Sequence, residues 1–267
     1  MLIDAHVHIW EEDGPEAEWA RQSNAAQMRY AVRYDVRLCA FVTGGRLRAG
    51  VEELPTVQAF TRANRFMARY RDRFPDRILP FVYVNPAYPQ EAVRELERCV
   101  VEDGFLGVKL LRSVRCSDPR LVPLAQKAGE LGVPLLQHAG TGPDVIRPGE
   151  STTEDLIELA QNVPETTYIF AHVSGGGEWE WEIKALEPYA NIYLDTSGSV
   201  RDMGVTEMMV RKVGARRIVF GSDGSNCAAL GRLLGAEIAE EERRMIGYEN
   251  MARLLGLEPA GKAGGAL

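Results

Sequence analysis

The sequence is poor in cysteine and contains no long apolar run. Its four cysteines are widely spaced among 267 residues and form no C-x-x-C pair, which excludes a zinc ribbon and a disulfide framework. No apolar stretch reaches the length that crosses a membrane, and the start lacks the basic and apolar segments of a signal peptide. We therefore expect reduced thiols, no membrane partner and a cytoplasmic location.

Basic residues are outnumbered, with 31 Lys and Arg against 38 Asp and Glu and a formal net charge of -7. A chain of this charge is repelled by a phosphate backbone, so we expect no nucleic-acid partner. Hydrophobic residues make up 45% of the chain, which is enough for a substantial core. No low-complexity linker divides the sequence, so residues 1–257 are interpreted as a single domain and the Gly-rich residues 258–267 as a flexible tail.

Short runs rich in Val, Ile, Leu and Phe recur along the chain, and such runs are typical of strands covered on both faces. We interpret eight of them as strands: residues 2–9, 36–43, 78–85, 105–111, 134–138, 167–172, 191–196 and 217–222. Amphipathic stretches lie between them and are predicted to be helices, among them 92–101, 121–131 and 154–162. This alternation indicates parallel strands, and eight units in about 250 residues predict a (β/α)8 TIM barrel. A doubly wound open sheet is the alternative.

The chain contains only four histidines, and each lies at the end of a predicted strand: His6, His8, His138 and His172. His6 and His8 are two residues apart on the first strand, so the period of two directs both imidazoles to one face. A barrel gathers the carboxyl ends of its strands around one mouth, where His138 and His172 can reach the same centre. Asp223 follows the eighth strand, beside the first. The set predicts a metal site at the barrel mouth.

The predicted ligands favour zinc, with manganese or iron as alternatives, because a mixed imidazole and carboxylate set discriminates poorly between these ions. We expect one divalent metal ion per chain. A purely structural metal is the weaker interpretation, because a metal at a barrel mouth lined by loops usually faces a substrate.

Several segments carry a resemblance to a known family: IDAHVH at 3–8, GFLGVKL at 104–110, FAHVSG at 170–175, IYLDTS at 192–197 and FGSD at 220–223. With these segments the chain resembles the amidohydrolase-related family of the amidohydrolase superfamily. That family includes resorcylate decarboxylases, aminocarboxymuconate-semialdehyde decarboxylase and dicarboxylate lactonases. The metal motifs are highly specific as an ordered set, and the resemblance covers nearly the whole chain.

The resemblance implies four metal ligands, His6, His8, His138 and Asp223. It places His172 beside the metal-bound water. Some members of the superfamily carboxylate a lysine on the fourth strand and bind two metals, whereas this family typically binds one. We therefore expect Lys109 to be an unmodified amine, either a charged residue of the pocket or a structural ion-pair partner. The family often has an aromatic residue and a proline after the aspartate, but this chain reads Gly-Ser-Asn-Cys at 224–227. That departure implies a different pocket floor.

A divalent metal lowers the pKa of its bound water toward about 7, which makes hydrolysis feasible at neutral pH. The main prediction is therefore a metal-dependent hydrolase of a small carbonyl substrate such as an ester, lactone or amide. Asp223 would act as ligand and general base, and His172 would stabilise the developing oxyanion. The alternative is a non-oxidative decarboxylase or hydratase of a small carboxylic acid that uses the same metal site. A TatD-type metal nuclease shares the H-x-H opening, but the acidic charge argues against it.

Four residues near the predicted strand ends are candidates for substrate binding: Trp10, Lys109, Arg112 and Arg115. Trp10 directly follows the first two histidines and could form a wall of the pocket or only cover the rim of the barrel. Arg112 and Arg115 follow the fourth strand and could clamp a carboxylate, because a guanidinium offers two parallel donors; a surface ion pair is the alternative for both. We therefore expect an anionic small-molecule substrate. The sequence leaves the oligomeric state open, including a homo-oligomer.

Overall fold

The computed structural model describes residues 1–44, 54–139, 149–173, 179–198 and 202–257, together with the backbone of 46–48 and 51–53. The strands are β1 (Leu2–His8), β2 (Val36–Phe41), β3 (Arg46–Arg48), β4 (Val51–Glu53), β5 (Ile78–Tyr83), β6 (Gly107–Leu110), β7 (Leu135–His138), β8 (Tyr168–Ala171), β9 (Ile192–Asp195) and β10 (Ile218–Val219). The α-helices are α1 (Ala17–Arg33), α2 (Val57–Arg73), α3 (Pro89–Val101), α4 (Val122–Glu130), α5 (Thr153–Asn162), α6 (Trp179–Leu186), α7 (Val205–Val213), α8 (Asn226–Gly235), α9 (Glu240–Arg244) and α10 (Asn250–Leu254).

Eight of the strands form one sheet in the order β1, β2, β5, β6, β7, β8, β9, β10. All hydrogen-bonded neighbours in this sheet run parallel. The two ends of the sheet also meet, because Ala5 N donates to Phe220 O at 2.7 Å and Asp223 N donates to His6 O at 2.9 Å. The predicted (β/α)8 barrel is confirmed, and the open doubly wound sheet is wrong. The short strands β3 and β4 pair antiparallel with each other, apart from the barrel.

The predicted strands and helices lie close to their expected positions. Each predicted strand segment contains one barrel strand, although the eighth is reduced to β10. The helices predicted at 92–101, 121–131 and 154–162 correspond to α3, α4 and α5. Helix α5 begins with a capping box, in which Thr152 N donates to Asp155 Oδ2 at 2.8 Å and Asp155 N donates to Thr152 Oγ1 at 3.3 Å. This cap fixes where the chain enters the helix after the loop that follows β7.

The apolar interior divides into two layers. One cluster lies between the sheet and the surrounding helices and contains Val7 and Ile9 of β1. The other fills the barrel and contains Ile3 and Ala5 of the same strand. A regular strand would place these four residues on one face, because they are separated by multiples of two. The alternation of β1 therefore reverses between Ala5 and Val7, and the pairing with β2 shifts register in the same stretch.

Among the described residues, no helix combines the length and the apolar character needed to cross a membrane. The predicted tail, residues 258–267, lies outside the described residues. The single-domain interpretation of residues 1–257 stays a prediction.

Candidate metal centre

Strand β1 delivers two histidines to the barrel mouth through a bulge, a feature that re-aims side chains next to active sites. His6 is fully buried, and the ring centres of His6 and His8 lie 5.7 Å apart. Asp4 lies before the reversal, and its Oδ1 accepts from the backbone N–H groups of His6 at 3.2 Å and Ser222 at 2.9 Å. A regular strand would place Asp4 on the face of both histidines. The bulge reverses the alternation between them, so Asp4 lies on the other face.

Three side chains bring possible ligand atoms within 4.8 Å of one another: His6, His172 and Asp223. His6 belongs to β1, His172 directly follows β8, and Asp223 lies just past β10. His172 and Asp223 adopt left-handed backbone conformations, with φ of 70° and 46°. Non-glycine residues rarely adopt this conformation, and such strain concentrates at functional sites. The result is a His/His/Asp metal-binding set at the carboxyl ends of three barrel strands.

The other two predicted ligands, His8 and His138, flank this set. His8 Nε2 lies 3.2 Å from Asp223 Oδ1, and its buried Nδ1 has no hydrogen-bond partner among the described residues. His138 Nδ1 lies 2.9 Å from His172 Nε2. All five predicted side chains therefore form one connected group. The resemblance implies that His172 lies beside the metal ligands. In the structure a possible ligand atom of His172 lies within 4.8 Å of those of His6 and Asp223.

Burial keeps histidines of the site in the neutral form that a metal ligand requires. It lowers the pKa of His8, lowers the pKa of His138 to about 4 and holds the pKa of His172 well below its ordinary value. Burial opposes ionisation of Asp223, but attraction to His6 and the hydrogen bond with His8 outweigh it and lower the pKa of this carboxyl. Neutral imidazoles beside an ionised carboxylate are a suitable donor set for zinc or manganese. The residues present therefore fit a divalent metal.

Two cationic side chains project into the same region. Lys109 of β6 is fully buried, with Nζ 3.0 Å from His6 Nε2 and 5.1 Å from the centre of the Phe41 ring. Burial lowers the pKa of Lys109 to about 8, which leaves the amine mostly protonated at neutral pH. Arg112 Nη1 lies 3.3 Å from His138 Nε2. The metal-binding set is therefore bordered by positive charge.

The remaining two predicted substrate-binding residues differ in their surroundings. Trp10 stacks beside His8, with ring centres 5.7 Å apart, as a wall of the mouth would. Arg115 is about half exposed, and its Nη1 lies 3.7 Å from Asp155 Oδ2. Arg115 thus makes the ion pair that the sequence left as its alternative, whereas Arg112 contacts a histidine of the site.

Two polar residues that hold the histidines were missed in the sequence. Asp195, at the end of β9, lies with Oδ2 2.8 Å from His6 Nδ1, and Ser197 Oγ lies 2.9 Å from His172 Nδ1. Attraction to His6 and its hydrogen bond outweigh the burial of Asp195 and lower the pKa of this carboxyl. A charged residue at the end of an apolar strand was the available signal, the same signal that marked Asp223.

Glu150 was also missed. Its Oε1 lies 3.1 Å from His138 Nε2, and the side chain is almost fully buried. It lies in the long connection between β7 and α5. In such a loop no periodic pattern distinguishes one acidic residue from another as a candidate for the site.

Three comparisons place the chain among known proteins. It matches the sequence profile of the Amidohydrolase family over residues 3–257. The γ-resorcylate decarboxylase of a Polaromonas species is 25% identical in an alignment that covers 73% of this chain and 76% of that protein. The solved 2,6-dihydroxybenzoate decarboxylase from Rhizobium has a TM-score of 0.74 at 19% identity, covering 96% of this chain and 98% of the other.

A dihydroxybenzoic acid decarboxylase from Polaromonas, solved with bound manganese and the inhibitor 2-nitroresorcinol, has a TM-score of 0.73 at 19% identity and covers 97% of this chain and 98% of its own. At this identity the solved structures show a shared barrel. The profile match extends over nearly the entire sequence and agrees with the histidine and aspartate set at the barrel mouth. The chain therefore belongs to the amidohydrolase family of enzymes.

Proposed function

We propose that this protein is a metal-dependent, non-oxidative decarboxylase of a small aromatic carboxylic acid. The observation that carries this proposal is the His/His/Asp set bordered by Lys109 and Arg112 at one barrel mouth. An aromatic acid with a neighbouring hydroxyl group presents adjacent oxygens, which suit a metal flanked by ammonium and guanidinium groups. Relatives named as decarboxylases of γ-resorcylate and 2,6-dihydroxybenzoate favour this reaction over the hydrolysis expected first.

His6, His172 and Asp223 would hold the metal, with His8 and His138 in contact with them. When bound, a divalent cation supplies a positive charge that orients the anionic oxygens of the substrate. Zinc is favoured by the ligand types, and manganese is the ion in a solved relative. Both ions therefore belong in any test of activity.

Decarboxylation requires a proton at the carbon that loses its carboxylate. Asp223 is the best placed of the aspartates, because its side chain is 33% exposed, whereas Asp4 and Asp195 are fully buried. In the proposed reaction Asp223 takes up a proton from solvent and donates it to the ring carbon. The bond from that carbon to the carboxylate then breaks, its electron pair returns to the ring, and CO2 leaves. His172 Nδ1 lies 3.7 Å from Asp223 Oδ2, so the carboxyl that transfers the proton stands beside this histidine.

The remaining side chains of the mouth would bind and orient the acid. The ammonium of Lys109 would contact an anionic oxygen deep in the site, and the guanidinium of Arg112 would offer two parallel donors to a carboxylate. Trp10 would cover the apolar ring of the substrate. These roles are proposed because Lys109 contacts His6, Arg112 contacts His138 and Trp10 stacks beside His8.

The test is an assay of protein loaded with Mn²⁺ or Zn²⁺ against 2,6-dihydroxybenzoate, benzoate, a lactone and an aryl ester. We expect release of CO2 and resorcinol from 2,6-dihydroxybenzoate, with one deuterium at the former carboxyl carbon when the solvent is D2O. Benzoate, which lacks the hydroxyl groups, should react far more slowly, and His6→Ala serves as the control without a complete site. Hydrolysis of the lactone or ester without decarboxylation of any hydroxybenzoate would overturn the proposal in favour of the hydrolase.

A further inference from the structure

We propose that Asp195 is a positioning residue that orients both histidines of the metal-binding set. This role rests on the metal site of the proposed function, but it does not depend on the substrate. Asp195 ends β9 and is fully buried. Its two carboxylate oxygens face different histidines, so one side chain controls two ligands that come from β1 and from the end of β8.

One oxygen of Asp195 fixes the tautomer of His6. Oδ2 lies 2.8 Å from His6 Nδ1, and an ionised carboxylate only accepts, so Nδ1 carries the proton. The opposite side of the ring agrees with this tautomer, because His6 Nε2 lies 3.0 Å from Lys109 Nζ, closer than its 3.4 Å from Asp223 Oδ1, and an ammonium only donates. His6 therefore presents a lone pair on Nε2, as a metal ligand must.

The other oxygen of Asp195 holds His172 in place. Oδ1 accepts from His172 N at 3.0 Å, from Ser197 N at 2.8 Å and from Ser197 Oγ at 2.5 Å. The first of these bonds stabilises the unfavourable backbone of His172, whose φ is 70°. Because the Ser197 hydroxyl donates to Asp195, its oxygen accepts from His172 Nδ1 at 2.9 Å. His172 Nε2 then keeps its lone pair, as in His6.

The backbone after β10 leaves room for this carboxylate at Gly221. A Cβ at this position would lie 3.0 Å from Asp195 Oδ2 and 3.3 Å from His6 Cβ. The neighbouring side chains would have to move, which would displace the carboxylate from the imidazole. The glycine is therefore part of the arrangement that brings Asp195 against His6.

Asp195→Asn reverses the polarity of one contact without changing the size of the side chain. The amide oxygen must take the position of Oδ1, because the donors of His172 and Ser197 face that atom. The NH2 group then faces His6 Nδ1 and donates to it, which moves the His6 proton onto Nε2. There Asp223 Oδ1, at 3.4 Å, can accept it, and Lys109 Nζ has to turn away from Nε2. We expect the dissociation constant of the metal to rise about 10- to 100-fold, the usual effect of losing such a partner.

Two measurements on the purified full-length protein test this role. ¹⁵N NMR of the imidazoles in metal-free protein shows which nitrogen of His6 carries the proton, and calorimetric titration with Mn²⁺ or Zn²⁺ gives the metal affinity. Asp4→Asn is the matched control, because Asp4 is an equally buried aspartate that accepts from the backbone N–H of His6. In Asp4→Asn the tautomer of His6 and the metal affinity should match those of the wild type. Circular dichroism checks the fold of each variant.

We expect Nδ1–H on His6 in the wild type, Nε2–H in Asp195→Asn, and weakened metal binding in Asp195→Asn alone. A folded Asp195→Asn protein with the wild-type tautomer and affinity would overturn the role. If this variant does not fold, Gly221→Ala takes its place, and wild-type metal affinity there would overturn the role equally. A wild type that binds no metal would instead refute the metal site, while the tautomer of His6 in the two proteins would still decide the role of Asp195.

Discussion

Lys109 Nζ lies 3.0 Å from His6 Nε2, so an ammonium group stands in front of the lone pair that a metal would use. Both side chains are fully buried. Two cations repel each other strongly at short distance in a buried site. Metal binding therefore requires Lys109 either to rotate away from Nε2 or to lose its proton, and the lowered pKa of about 8 makes the second route accessible.

The first prediction concerns Lys109→Met, which keeps the bulk of the side chain and removes its charge. Metal affinity should equal or exceed that of the wild type, because the competing ammonium is gone. The KM for an anionic substrate should rise about tenfold or more, the effect of losing one hydrogen bond to a charged group. Lys127→Met, on the surface beside Glu130, is the control. Loss of the metal from Lys109→Met would show that Lys109 supports the site rather than competing for it.

Asp223→Asn should fold and retain some metal but turn over about 10²- to 10⁴-fold more slowly, because the amide cannot carry the proton. Metal content and turnover of the same preparation measure the two effects separately. Asp72→Asn, at an exposed position paired with Arg71, should leave both unchanged. Turnover of Asp223→Asn near the wild-type rate would contradict the proton-transfer role.

The two arginines after β6 should behave differently. Arg112→Met should raise the KM for an anionic substrate more than the inhibition constant of neutral resorcinol, because Arg112 contacts His138 in the site. Arg115→Met should change neither, because Arg115 is about half exposed and pairs with Asp155. Steady-state kinetics of the two variants decide the matter, and equal responses would remove Arg112 from the binding site.

Asp4 should make the stability of the metal-free protein depend on pH. Burial raises the pKa of Asp4 from 3.8 to about 7, so the folded state holds a proton that the unfolded chain has lost between these values. The free energy of unfolding should therefore fall as pH rises through this range, by at most about 1.4 kcal/mol per pH unit. Asp4→Asn removes this contribution. Urea unfolding at about pH 5 and about pH 7 compares the two proteins, and a constant difference in stability between them would contradict the assignment.

The strands and the histidines were predictable because both leave a local signal. A strand covered on both faces needs a continuous apolar run, and the first and last such runs give the barrel its closing pair, β1 and β10. The carboxyl ends of parallel strands meet at one mouth, so the sequence predicts that His138 and His172 can reach the same centre. In the structure His138 Nδ1 lies 2.9 Å from His172 Nε2.

The details that the sequence did not predict come from departures from ideal periodicity. The bulge in β1 has no compositional signature, so the face on which Asp4 lies could not be predicted. Asp195 was treated as part of a family motif, although a carboxylate that ends a buried strand needs a partner and could have been paired with His6. Glu150 reaches His138 from a loop, where no period gives the direction of a side chain.

The most direct test of the account is the metal content of the wild type and His6→Ala, measured by elemental analysis after reconstitution with zinc or manganese. Because His6, His172 and Asp223 bring their ligand atoms within 4.8 Å of one another, the wild type should hold about one divalent ion per chain. His6→Ala should hold far less at the same free metal concentration, with an unchanged circular dichroism spectrum. A wild type that retains no metal after reconstitution, or a folded His6→Ala protein that retains as much as the wild type, would contradict the metal centre.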